Sequence, residues 1–125
     1  MQNGILCQSH KSVLYYQDHN RRYCNCNSCG CVFIPHEALP KAKEEKERYL
    51  SHQNDVEDSG FQKFVSPMVN AIKAKHTTKE KGLDFGAGTG PVVSKLLEDF
   101  NYKMVLYDPF FHPNKDSLNN SYDFI

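Results

Sequence analysis

The sequence predicts an α/β protein: a parallel sheet preceded by helices and by a small N-terminal β element. Three observations carry this. All five cysteines fall between Cys7 and Cys31. Runs of helical period occupy the middle of the chain. A strand, a glycine-rich loop, a helix and a second strand then follow one another around Leu83-Asp84-Phe85-Gly86-Ala87-Gly88-Thr89-Gly90-Pro91. The expected organisation is therefore an element over 1–36, a helical connector over 37–78 and a sheet-forming part over 79–125.

Residues 1–36 read as small β structure. Val13–Gln17 and Arg21–Asn25 are β-prone runs separated by Asp18-His19-Asn20, a hairpin turn by composition. Cys31–Ile34 adds a third strand before Pro35 ends it. The odd number and tight clustering of cysteines do not suit a disulfide framework spread over a secreted domain. They suit a local metal site in a reducing compartment. Cys7-Gln8-Ser9-His10 and Cys26-Asn27-Ser28-Cys29-Gly30 form C-x2-H and C-x2-C-G pairs with fifteen residues between them. That spacing is of zinc-ribbon type, with Cys7, His10, Cys26 and Cys29 as ligands of a tetrahedral, structural Zn2+. In so short a segment metal would supply most of the folding energy. Cys24 and Cys31 are surplus thiols, either competing ligands or small buried side chains. A cluster of free thiols without metal is the plainer alternative.

Residues 37–78 read as helical. Pro40 suits a first turn. Lys41/Glu45, Lys43/Glu47 and Glu44/Arg48 then pair at i,i+4, which reads most simply as a solvated face. His52-Gln53-Asn54-Asp55 breaks the run. Phe61, Phe64, Val65, Met68, Val69 and Ile72 follow at the spacing of an amphipathic helix. Pro67 predicts a kink there, or a restart with Ser66 as cap. Glu45, Tyr49 and His52 share one helical face. Tyr49 and His52 are the catalytic candidates, His52 because its unperturbed pKa lies near neutrality. A packed tyrosine beside a surface histidine is the structural alternative.

Residues 79–125 alternate strand and helix. Gly82–Phe85 is a strand, Pro91–Phe100 a helix, Lys103–Tyr107 a strand, and Tyr122–Ile125 the start of a third. This order argues for a parallel, Rossmann-like sheet. Gly86, Gly88 and Gly90 permit a tight turn and a close ligand approach to the backbone. Asp108 ends the second strand, where a carboxylate can accept hydrogen bonds from ribose hydroxyls. The dinucleotide fingerprint is G-x-G-x-x-G. Here Pro91 stands at its third glycine and the pattern is G-x-G-x-G, which disfavours a nicotinamide or flavin dehydrogenase.

This loop resembles motif I of the class I S-adenosylmethionine (SAM)-dependent methyltransferases. Glu45, Arg48-Tyr49, His52, Asn54-Asp55, Asp58, Gly60-Phe61 and Phe64 resemble the helical stretch before motif I in a bacterial-type group of that family. Tyr107–Phe111 and Tyr122–Ile125 match its Y-D-P-F-F and Y-D-F-I segments. That group also carries an N-terminal C-x-x-C…C-x-x-C-G element, in which His10 here replaces a cysteine. The resemblance implies a Rossmann-like SAM-binding domain over 79–125. It implies SAM as cofactor, with Asp84, Gly86, Ala87, Gly88, Gly90 and Asp108 as its binding residues. The glycine loop would pack against the methionine moiety and Asp108 would bind the ribose. Sheets of that family continue beyond the equivalent of Ile125. The expectation is therefore a truncated sheet and a partial form of the enzyme, transferring methyl to an acceptor the motifs do not name.

Composition bounds the partners. Fifteen basic and fifteen acidic residues cancel over 125 residues, so no overall basic field points to nucleic acid or anionic lipid. No apolar run approaches the roughly 20 residues that span a bilayer, and no signal-peptide pattern opens the chain. A cytoplasmic protein without a membrane partner is expected. Lys11, Arg21 and Arg22 among Tyr15, Tyr16 and Tyr23 are too few for a nucleic-acid patch. An unpaired strand edge at the sheet would be prone to pairing with another copy. The alternative to an enzyme is a non-catalytic zinc-ribbon and half-Rossmann module that binds a protein or nucleic acid.

Overall fold

A computed structural model describes residues 3–125. Met1 and Gln2, the first two residues of the expected 1–36 element, lie outside the described residues. The chain divides into two units, residues 1–44 and 45–125. The segment 37–78 is thus shared between the two units.

In the first unit three strands, β1 (Ser12–Gln17), β2 (Arg22–Cys26) and β3 (Val32–Phe33), pair antiparallel in the order β1-β2-β3. The hairpin between β1 and β2 is closed by Asp18. Its Oδ1 accepts the N–H groups of Asn20 and Arg21, both at 2.7 Å, and its own N–H bonds to the Arg21 carbonyl at 3.0 Å. These bonds hold the Asp18 carboxyl below its ordinary pKa. Because Arg21 belongs to the turn, β2 begins one residue later than expected. The register shifts between Leu14 and Tyr16, so Tyr15 bulges out of the ladder. Alternation along β2 buries Cys24 and Cys26, which pack with Phe33 and the partly buried Cys31.

α1 (Ala42–Leu50) buries none of its residues, as its charge run predicts. It begins where the Lys41 N–H donates to Glu44 Oε2 at 3.1 Å. In the second unit α2 (Ser59–Lys75) is capped by Asp58, whose Oδ1 accepts the Phe61 N–H at 2.8 Å. The restart expected at Pro67 does not occur: one helix runs through it. Proline removes the N–H that would bond the Lys63 carbonyl. The Ser66 hydroxyl donates to that carbonyl instead, at 2.8 Å, so the acceptor is not orphaned.

β4 (Lys81–Phe85), α3 (Val92–Asp99) and β5 (Lys103–Tyr107) form a β-α-β unit, with β4 and β5 parallel and paired from Lys81–Lys103 to Phe85–Tyr107. Gly82 pairs with Met104 of β5 and also makes a parallel bridge to Phe124. One residue bridges two partners only from opposite edges, so β4 lies between β5 and the 123–124 segment. The Leu83 N–H to Phe124 carbonyl bond (3.0 Å) and the Asp123 N–H to Lys81 carbonyl bond (2.9 Å) tie that segment down. The third strand expected at Tyr122–Ile125 is present as this single bridge. Gly82 is a close-approach glycine: the Phe124 ring fills the space a side chain would need. Val69 of α2, Leu97 of α3 and Tyr102 form the core, with Val65, Ile72, Val93, Leu96, Met104 and Phe124 around them. The Tyr102 hydroxyl is satisfied by the His76 carbonyl at 2.8 Å. The architecture is therefore mixed α/β, with one small antiparallel sheet and one two-stranded parallel sheet. Among the described residues no helix is long and apolar enough to cross a membrane.

Candidate metal centre and glycine loop

In the first unit two short turns present cysteines. The Gln8 N–H bonds to the Gly4 carbonyl at 2.7 Å, and Gln8 takes a left-handed φ of 56°, so the chain reverses tightly around Cys7. Gly30, at φ 74°, does the same after Cys29, its N–H bonding the Cys26 carbonyl at 2.8 Å. The two turns are matched. Ser9 and Ser28 each stand two residues after a cysteine, and their hydroxyls meet at 2.8 Å.

These turns bring the sulfurs of Cys7, Cys26 and Cys29 within 4.8 Å of one another, with Cys7 and Cys26 Sγ at 3.4 Å. Zn–S bonds of about 2.3 Å set tetrahedral thiolates roughly 3.8 Å apart. The three thiols could therefore hold a metal ion such as zinc. Cys26 is fully buried. The backbone N–H groups of Cys29 and Ser28 point at its sulfur and pull the thiol down to about 7. This favours the thiolate that a metal requires. At Cys7 the Ser9 N–H also lowers the pKa, but the neighbouring Cys29 and Cys26 thiols outweigh it and the net shift is upward.

His10 lies in an exposed bend and is not part of the three-cysteine group. Cys24 and Cys31 are also outside it: Cys24 is core, and the Cys31 thiol points to the Val32 carbonyl at 3.8 Å. Gly4 escaped the sequence reading. A side chain there would come within 3.0 Å of Cys26 Sγ, so the sulfur is packed directly on its backbone. The repeated C-x-S at Cys7 and Cys26 was the available signal for the serine pair.

In the second unit the glycine loop leaves the carboxyl end of β4, where open parallel sheets bind ligands. Gly86 and Ala87 donate their N–H groups to the Tyr107 carbonyl at 2.8 and 3.0 Å. Gly86 and Gly88 take φ of 83° and 66°, and a Cβ on either would meet nothing within 4 Å. They border open space rather than protein. Asp108 is 8% exposed. Its Oδ2 accepts the Gly88 N–H at 3.1 Å, and its Oδ1 accepts those of Phe110 and Phe111 at 2.8 and 3.1 Å. A carboxylate has about four acceptor positions, so three backbone donors leave room for about one more. Asp84, expected beside the ligand, is held from the helix side: the buried Ser94 hydroxyl donates to its Oδ2 at 2.7 Å. Ser94 was missed because a lone serine in the first turn of α3 carries no pattern.

The segment between α1 and α2 reaches this loop. Asn54 lies so close to Gly90 that a Cβ on Gly90 would stand 2.5 Å from the Asn54 carbonyl oxygen. Tyr49 is 44% exposed, and the His52 ring meets its ring edge-on, with centroids 6.0 Å apart. Lys46 Nζ stands 6.0 Å from the centre of the Phe111 ring. Lys95 of α3 bridges Asp99 at 2.6 Å and Glu57 at 3.7 Å. Neither family models, nor curated proteins, nor solved structures give a match to this chain.

Proposed function

We propose that residues 79–125, within the second unit, form the SAM-binding part of a class I SAM-dependent methyltransferase with a Rossmann-like sheet. Residues 3–36 would form a zinc ribbon around one structural Zn2+. The observation that carries the cofactor reading is the Asp108–Gly88 bond at the carboxyl ends of two parallel strands, beneath a loop whose glycines border open space. Further support comes from β4 lying between β5 and the Phe124 segment, a central position that Rossmann-like sheets give their first strand.

When bound, the cofactor supplies an electrophilic methyl group on a sulfonium. The contribution of this chain is positioning, which can account for a large share of such a rate enhancement. Gly86 and Gly88 let the ligand lie against the backbone without a Cβ in the way. Asp108 offers its remaining acceptor position to one ribose hydroxyl. Accepting a second ribose hydroxyl as well would require it to release a backbone donor. Asp84, anchored by Ser94, stiffens the exit from β4. Tyr49 and His52 stand as the catalytic candidates, brought into ring contact at the end of α1. In the first unit Cys7, Cys26 and Cys29 would supply three zinc ligands; a closed structural site needs a fourth, for which the sequence spacing offers His10, although it stands outside the three-thiol group here.

One observation favours a second reading. Three of the four acceptor positions of Asp108 are spent on its own loop, as they would be in a non-catalytic binding module where Asp108 only shapes the turn. Calorimetry separates the two. The methyltransferase reading predicts saturable SAM binding that Asp108→Ala abolishes. No heat at millimolar SAM favours the module.

A further inference from the structure

Asn54 is seated on the glycine loop by atoms that its side-chain head does not need. The contacts that would block a Cβ on Gly90 come from the Asn54 carbonyl group and Cβ, the latter at 2.8 Å. The residue is exposed, and its carboxamide enters no hydrogen bond among the described residues. A polar head, one bond beyond a Cβ packed on Gly90, is therefore held beside the loop with no hydrogen-bond partner among the described residues.

The backbone that places it is strained. Gln53 takes a φ of 46°, a left-handed conformation unfavourable for a residue with a Cβ. Strain of this kind persists where the surroundings over-determine it, and it clusters at ligand sites. Here the surroundings are the Asn54–Gly90 seat on one side and the Glu57–Lys95 pair on the other.

We infer that Asn54 is a ligand-binding residue, its carboxamide hydrogen-bonding the amino-acid end of a sulfonium or thioether nucleoside lying along Gly86–Gly90. The inference rests on the proposed SAM reading and adds to it a contact from outside the β-α-β unit. The chemistry fits: a carboxamide offers both donors and an acceptor, so it serves an α-carboxylate or an α-ammonium equally.

The test is calorimetry on the full chain and on Asn54→Ala, with S-adenosylhomocysteine and with methylthioadenosine, which lacks the amino-acid end. Alanine keeps the carbonyl and the Cβ, so the seat on Gly90 survives and only the head is lost. Affinity for S-adenosylhomocysteine should fall about tenfold or more, as for one hydrogen bond to a charged group. Affinity for methylthioadenosine should not change, and Asn54→Gln should restore part of the loss. Equal weakening toward both ligands would make Asn54 a purely structural residue and overturn the inference. So would an unchanged affinity for S-adenosylhomocysteine, with the SAM reading left standing. A wild-type chain that binds neither ligand would overturn both.

Discussion

The two units reach order by different means. In the first, the buried apolar cluster is Cys24, Cys26 and Phe33, and β1 exposes every residue after Ser12. In the second, Val69, Leu97 and Tyr102 are packed under a ring of partly buried apolar side chains from two helices and the sheet. The first cluster is too small to offset the chain entropy of its strands by apolar burial alone. Its buried cysteine belongs at once to that core and to the three-thiol group. The second unit needs no ion to explain its packing. One chain thus combines a segment whose few buried side chains include a thiol that could also hold a metal ion with a segment held by hydrophobic contact.

The largest effect that would break this comparison is metal removal. Structural zinc in small domains contributes about 10–16 kcal/mol of apparent binding energy that is also folding energy. Protein purified without chelator should carry about one zinc per chain. Chelation, or Cys26→Ser, should abolish amide protection over Arg22–Cys26 and leave β4 and β5 protected. Zinc far below stoichiometry, or protection that survives chelation, would dissolve the contrast. The converse perturbation is Leu97→Ala. Leu97 is fully buried, and such a truncation costs about 2–5 kcal/mol. Denaturant unfolding followed through the second unit should show this loss, while zinc content stays unchanged.

The smallest effect is shared by both units and sharpens what they have in common. Asp18 in the first and Glu80 in the second both have lowered pKa values, chiefly from turn N–H groups, those of Asn20 and Thr77 respectively. A carboxyl whose folded pKa is lowered stabilises the fold fully above its ordinary value. That contribution is lost as pH falls through the lowered one. Amide protection at Asn20 and at Thr77 should therefore be lost together as pH falls below the ordinary carboxylate range. Asp18→Asn should remove the pH dependence at Asn20 alone.

Much of the fold was legible because it follows local pattern. β5 runs over Lys103–Tyr107 as its apolar run predicts, and β4 and α3 differ from expectation only at their ends. The continuity of α2 was legible only in part. Pro67 argues for a kink or a restart, and only the geometry of the Ser66 hydroxyl shows how the carbonyl it leaves free is satisfied. The glycine loop could be read from spacing, but the internal use of Asp108 could not. Its Phe110 and Phe111 donors are backbone groups, which leave no trace in residue type. The metal group was legible to three of its four expected ligands. His10 has the right spacing, but it lies in an exposed bend outside the group, and spacing alone does not encode that placement. The approach of Asn54 to Gly90 joins segments far apart in sequence, and no periodicity encodes it.

The proposed SAM site is the loop from Gly86 to Gly90, with Asp108. The most direct measurement is a titration of the isotope-labelled chain with SAM, following backbone amide resonances. Saturable shifts at Gly86, Ala87, Gly88 and Asp108 are predicted, with the amides of β1 and β2 unmoved. Loop amides that stay in place at millimolar SAM, while the rest of the spectrum shows a folded second unit, would contradict it.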